Sequence, residues 1–98
     1  MTYLIRIRPQ AERDVNKAYS WYEGQRPGLG REFILEIDKV LLRLSKYPYM
    51  YREIHRGVRR AITRRFPIAI FYIATDTEVR VLAIVDMARD VSVWQKRI

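Results

Sequence analysis

Phe66-Pro67-Ile68-Ala69-Ile70-Phe71-Tyr72-Ile73 is apolar at every position, and so on both parities of a strand. A strand with one wet face alternates polar and apolar residues, whereas one covered on both faces does not. The stretch therefore predicts the central strand of a sheet. On either side of it lie two more segments rich in β-branched and aromatic residues, so the spacing predicts three antiparallel strands at roughly 58–65, 66–75 and 79–86. The polar run Ala74-Thr75-Asp76-Thr77-Glu78 is the hairpin loop between the last two. In the last strand Val79, Val81, Ala83 and Val85 share one face, and Arg80, Leu82, Ile84 and Asp86 the other. The valine face is expected under a helical layer.

The N-terminal half supplies that layer. Tyr3, Ile5 and Ile7 alternate with Leu4, Arg6 and Arg8, a half-buried strand ending at Pro9. Beyond Pro9 the period changes, with Ala11, Val15, Ala18, Tyr19 and Tyr22 at helical spacing up to about Gly24. Proline at the helix start and acids Glu12 and Asp14 in the first turn agree with this. Arg26-Pro27-Gly28-Leu29-Gly30 breaks the helix as a turn; it lacks the preceding strand and further glycine of a phosphate loop. Leu29, Phe33, Ile37, Val40, Leu41 and Leu44 then mark a longer helix ending near Lys46. Tyr47-Pro48-Tyr49 cannot continue it. The expected fold is α+β in the order β-α-α-β-β-β: a helical hairpin packed on one face of a small antiparallel-rich sheet, with a short tail or helix from Asp90. A single domain over residues 1–98 is expected.

Composition narrows the chemistry. The chain has no cysteine and one histidine, His55, which argues against a thiolate or histidine-built metal site and gives no sign of a cofactor. No signal-peptide pattern opens it and no apolar run reaches a membrane span, so a cytoplasmic location with no membrane partner is expected. The net charge is +8, and 15 of the 19 basic residues are arginine. Arginine's planar fork grips phosphate and carboxylate bidentately, so the imbalance points to a polyanionic partner.

Arg6 and Arg8 oppose the apolar side of the first strand and Arg80 opposes the valine face, which makes the sheet face away from the helices arginine-bearing. The densest run, from Arg52 to Arg65, holds six arginines and one acid. Alternation alone leaves its facing open, because Arg59 and Arg65 share one parity and Arg60 and Arg64 the other. Glu53 and His55 are the candidates for proton transfer. The tyrosines read as packing residues rather than a base-stacking platform. A bare nucleic-acid-binding module is an alternative reading of the charge, though no recognition helix is evident.

Ala11, Asp14 and Trp21-Tyr22, then Pro27-Gly28-Leu29-Gly30 with Phe33, Pro48, Val58-Arg59-Arg60, Phe66-Pro67, Ile70-Phe71-Tyr72, and finally Val81-Leu82-Ala83-Ile84 with Arg89 and Trp94 resemble the RelE/ParE toxin pattern across nearly the whole chain. The resemblance implies the toxin of a plasmid-stabilising type II toxin–antitoxin pair, arresting growth when free and held inactive by a cognate antitoxin. One branch of the family is a ribosome-dependent mRNA endoribonuclease; the ParE-like branch acts on DNA gyrase.

For the ribonuclease branch the resemblance implies basic roles for Arg60 and Arg89, and His55 and Glu53, the proton-transfer candidates read from the residues themselves, would complete the catalytic set. Against that branch, Pro67, Asp86 and Trp94 stand where it carries an arginine, a histidine, and a tyrosine or histidine. The ParE-like reading is therefore preferred. Target contacts are expected from Arg59, Arg60, Arg65, Arg80, Arg89, Trp94 and Arg97, and antitoxin contacts from Leu29, Phe33, Ile37, Arg6 and Arg8.

Overall fold

A computed structural model describes residues 2–87. Arg8 is extended ahead of Pro9, the first residue of helix α1 (Pro9–Gln25), so the missing proline N–H falls where no helical partner exists. The expected turn follows. Gly28, at φ 88°, caps helix α2 (Leu29–Lys46) in a left-handed conformation that a side chain resists. The Glu23 carboxylate reaches over from α1 and accepts the backbone N–H of Gly28 at 3.1 Å and of Gly30 at 3.0 Å. An added Cβ at Gly30 would lie 2.7 Å from the Tyr19 ring, so glycine there sets the close approach of the two helices.

The helices pack on one face of a five-stranded sheet ordered β1-β5-β4-β3-β2. Its strands are β1 (Leu4–Ile7), β2 (Glu53–His55), β3 (Val58–Ile62), β4 (Ile68–Ala74) and β5 (Glu78–Asp86). Only β1 and β5 run parallel, and β4 is central as its apolar sequence requires. The core between helices and sheet buries Phe33, Ile37, Val40 and Leu44 of α2 against Ile68, Ile70 and Tyr72 of β4 and Val79 and Val81 of β5. Tyr22 stacks on Phe33 at 5.2 Å and meets Phe66 edge-on at 4.8 Å.

The structure corrects the sequence reading in three places. First, β2 is a strand the periodicity did not show, because three residues are too few to carry a pattern. It joins β3 through Arg56 and Gly57, both at positive φ (40° and 83°), the geometry of a two-residue hairpin turn. Second, β3 stops at Ile62 rather than reaching Arg65. Buried Thr63 turns the chain: its hydroxyl donates to Phe66 O at 2.5 Å, and its N–H to Ile68 O at 3.0 Å. Phe66 is held at φ 67° directly before Pro67.

Third, the valine face of β5 does not run its full length. Tyr72 pairs with Val81 and Phe71 with Ala83, so Leu82 is an extra residue, a bulge that reverses the parity beyond it. Val79 and Val81 pack under the helices, and so does Ile84. Leu82, Ala83 and Val85 join Val58, Ala69 and Phe71 in a second apolar cluster on the opposite face. At the bulge the Asp14 carboxylate of α1 accepts the backbone N–H of Ile84 at 3.0 Å. The tail or helix expected from Asp90 lies outside the described residues.

Candidate functional site

Residues directly opposite across antiparallel strands share a face, so the register settles what alternation left open. Arg59 lies opposite Tyr72, whose ring is in the core under the helices. Arg60 lies opposite Phe71, on the other side. Arg59 is bound within the chain: one guanidinium nitrogen donates to Tyr51 O at 2.6 Å, and the group sits 5.0 Å over the Tyr49 ring. Arg60 lines an open cavity of about 410 Å³ together with Tyr51, Arg52, Glu53, Ile54 and Ile62.

The other expected basic residues divide in the same way. Arg65 lies beside α2, donating to Glu32 at 2.6 Å with its guanidinium 4.9 Å from the Phe66 ring. Arg26 grips the other oxygen of Glu32 at 2.7 Å. The hydrogen bond from Arg26, then that from Arg65, holds the Glu32 carboxyl below the ordinary carboxylate range. Arg6 and Arg80 share Glu78 at 2.7 and 2.5 Å, and the Arg80 bond, then the Arg6 bond, likewise lowers the Glu78 pKa. Both arginine side chains remain about half exposed or more, so each presents a partly neutralised cation to solvent. Arg8 is exposed just ahead of α1. Arg89, Trp94 and Arg97 lie outside the described residues.

Of the proton-transfer candidates, the fold brings Glu53 to the Arg60 cavity and leaves His55 out of it. His55 pairs with Val58 at the end of the β2–β3 hairpin and is not among the lining residues. Among the described residues no three of His, Cys, Asp and Glu come together as a metal site would need, and no helix is long and apolar enough to cross a membrane.

The antitoxin contacts expected on α2 meet a physical obstacle. Phe33 and Ile37 are buried in the core and offer no surface, and Leu29 is partly buried. The exposed apolar positions of that helix are Leu35 and Leu42, at 48% and 61%, which the sequence reading passed over. Their signal was present as two leucines seven apart and off the core stripe. With Glu32, Glu36, Asp38, Lys39 and Arg65 they line a second open cavity of about 390 Å³. A third, of about 380 Å³, shares Glu36, Lys39 and Arg65 with it and runs past Val40, Arg43 and Arg64 to Ile62.

The same overall fold is found in chains of solved toxin–antitoxin systems. The chromosomal ParDE system of P. aeruginosa has a chain matching 87% of this one over 96% of its own length, at TM-score 0.77 and 18% identity. A chain of the toxin–antitoxin complex RelBE2 from Mycobacterium tuberculosis matches 90% of this one over 94% of its own, at TM-score 0.66 and 21% identity. No curated protein matches the chain by sequence. The model of the ParE toxin of the type II toxin–antitoxin system parDE matches residues 5–91, and the chain belongs to that family.

Proposed function

We propose that this toxin arrests growth by acting on DNA gyrase, in a plasmid-stabilising or chromosomal pair, and that a cognate antitoxin neutralises it in the cytoplasm. One observation carries the target: the sole histidine is not among the residues lining the Arg60 cavity. Cleaving RNA through its 2′-hydroxyl needs a base, an acid for the leaving oxygen and a cation at the phosphate. Arginine supplies only the cation, since it does not release its proton near neutral pH. The antitoxin docks on the outer face of α2, where exposed Leu35 and Leu42 offer the apolar contact among charges of both signs, Glu32, Glu36 and Asp38 with Lys39 and Arg65, and Arg6 and Arg8 meet acidic parts of its tail.

A second reading keeps one observation on its side. Glu53 and Arg60 do line a single cavity, with Tyr51 beside them, which is part of a ribonuclease constellation. One experiment separates the two. Purified toxin is expected to inhibit gyrase supercoiling, or trap cleaved DNA on the enzyme, and to leave message intact in a translating extract. Ribosome-dependent cleavage that Glu53→Gln abolishes, with supercoiling untouched, would establish the ribonuclease instead.

A further inference from the structure

The segment joining α2 to β2 carries Tyr47, Pro48, Tyr49, Met50 and Tyr51, and neither target reading uses it as a unit. Its backbone is held firmly. The buried Tyr72 hydroxyl donates to Pro48 O at 2.7 Å, and Arg59 donates to Tyr51 O at 2.6 Å. Its rings are held as well. Arg43 donates to the Tyr51 hydroxyl at 2.6 Å, the Tyr49 hydroxyl donates to Thr75 O at 3.3 Å, and Tyr3 meets the Tyr49 ring edge-on at 6.5 Å. Burial drives the Tyr72 phenol up to about 12, so it remains a donor at any physiological pH.

So firmly fixed a loop would be expected to turn its apolar groups inward. Instead Tyr47 is 63% exposed, Met50 56% and Tyr49 50%, three large apolar side chains within four residues. Exposed apolar residues scattered singly need no explanation, but a cluster on a pre-ordered backbone binds with little further entropy loss. Tyrosine, methionine and arginine are also the types enriched where protein interfaces are most buried.

The chemistry of the partner follows from the surroundings. Arg43, Lys46, Arg52 and Arg59 flank the loop, against Glu53 and the Asp76 beside Thr75, so the local field is positive and suits carboxylates. It does not suit stacked bases: one face of Tyr49 is covered by the Arg59 guanidinium, and Arg59 and Arg43 are engaged in holding the loop rather than free to grip phosphates. We propose that Tyr47, Tyr49 and Met50 form the knob by which the toxin docks into an apolar, carboxylate-rimmed pocket on its protein target, separately from the α2 face that takes the antitoxin. This rests on the toxin reading of the preceding subsection.

The test is growth arrest on induction, with thermal melting and affinity for the adjoining gene's product as measures of an intact fold. The double substitution Tyr47→Ser with Met50→Ser removes two side chains that face solvent. It is expected to need about tenfold more toxin for the same arrest, as loss of an interface hot spot does, at unchanged antitoxin affinity. Leu4→Ser, removing an equally exposed leucine outside the loop and outside the α2 face, is expected to arrest growth as the unaltered chain does. Tyr47→Asp should weaken arrest more than Tyr47→Arg if the pocket is acid-rimmed.

Undiminished arrest by the double variant overturns the proposal, and so does a parallel loss of antitoxin binding in a protein that still melts cooperatively. Equal or reversed effects of Tyr47→Asp and Tyr47→Arg overturn the carboxylate rim. An unaltered chain that fails to arrest growth removes the toxin reading and this proposal with it; arrest that ignores the loop removes this proposal alone.

Discussion

Arg59 and Arg60 are neighbours in sequence and face opposite sides of β3, and they belong to two differently built regions. On the helix side a guanidinium is a structural group: Arg59 ties down Tyr51 and covers Tyr49, and Arg65 bridges to Glu32 on α2. On the other side the cations stand at the edges of an apolar cluster, Arg60 over an open cavity and Arg6 and Arg80 around one shared acid. The difference teaches that arginine density is a poor map of a binding surface. Arg59 and Arg65 are matched by a carbonyl, a ring or a carboxylate of their own chain and hold the fold; Arg6 and Arg80 divide one carboxylate and stay about half exposed or more, so they are only partly spent on it, and Arg60 faces an open cavity where a partner can reach it.

The sharpest way to break this division is to attack the helix side. Phe33→Ala removes a fully buried ring that packs on Tyr22 and Phe66, and should cost about 3–5 kcal/mol in chemical denaturation. Leu35→Ala, two residues away and exposed, should stay within about 0.5 kcal/mol. Comparable losses from both would mean that Phe33 does not sit in the core.

A smaller effect separates the adjacent arginines directly. Arg59→Ala should cost about 2 kcal/mol, the worth of a charged hydrogen bond to a carbonyl, while Arg60→Ala leaves the melting curve alone and changes activity. Equal destabilisation by the two would erase the distinction between the faces.

Tyr72→Phe leaves the buried Pro48 carbonyl without its donor and should cost on the order of 1.5 kcal/mol. This effect carries a pH signature. The phenol titrates at about 12 in the folded chain against 10 when unfolded, so its stabilisation is complete below pH 10 and fades as the pH rises toward 12. The gap between wild type and Tyr72→Phe, measured by urea denaturation, should narrow over that window and stay constant from pH 7 to 9.

The smallest expected change is a gain. Arg56 occupies a left-handed position that asparagine tolerates better, so Arg56→Asn should stabilise the β2–β3 hairpin by about 0.5–1 kcal/mol. A loss would show that the arginine side chain makes a contact worth more than its backbone strain.

Long-period patterns made most of the architecture legible. Both helices could be read because 17 and 18 residues carry a repeat, the central strand because it is apolar on both parities, and the start of α1 and the glycine turn because Pro9 and Gly28 favour those positions. What escaped was decided by single residues in tertiary context. The bulge at Leu82 turns one residue into a reversal of the end of β5, and no alternation encodes where such an insertion falls. Strand β2 is three residues long and depends on a turn with arginine, not asparagine, at its first position. For the site, charge drew attention to residues 52–65, yet which guanidiniums were already matched depended on Tyr51 O and Glu32, whose positions follow from packing. The exposed leucines of α2 were visible in the sequence but masked by the stronger core stripe running beside them.

The parallel pairing of β1 with β5 has a consequence for the order in which the molecule is made. Arg6 finds Glu78 and Asp14 finds Ile84 across 72 and 70 residues of chain, so β1 waits for β5 to complete its ladder. Contacts of such sequence separation form late, because the loop entropy must be met before they contribute. Until then the β5 edge has no β1 neighbour and the helices lack part of their floor. The sheet is therefore completed only once β5 has left the ribosome, and a chain released before that point is a partial sheet with no finished first edge.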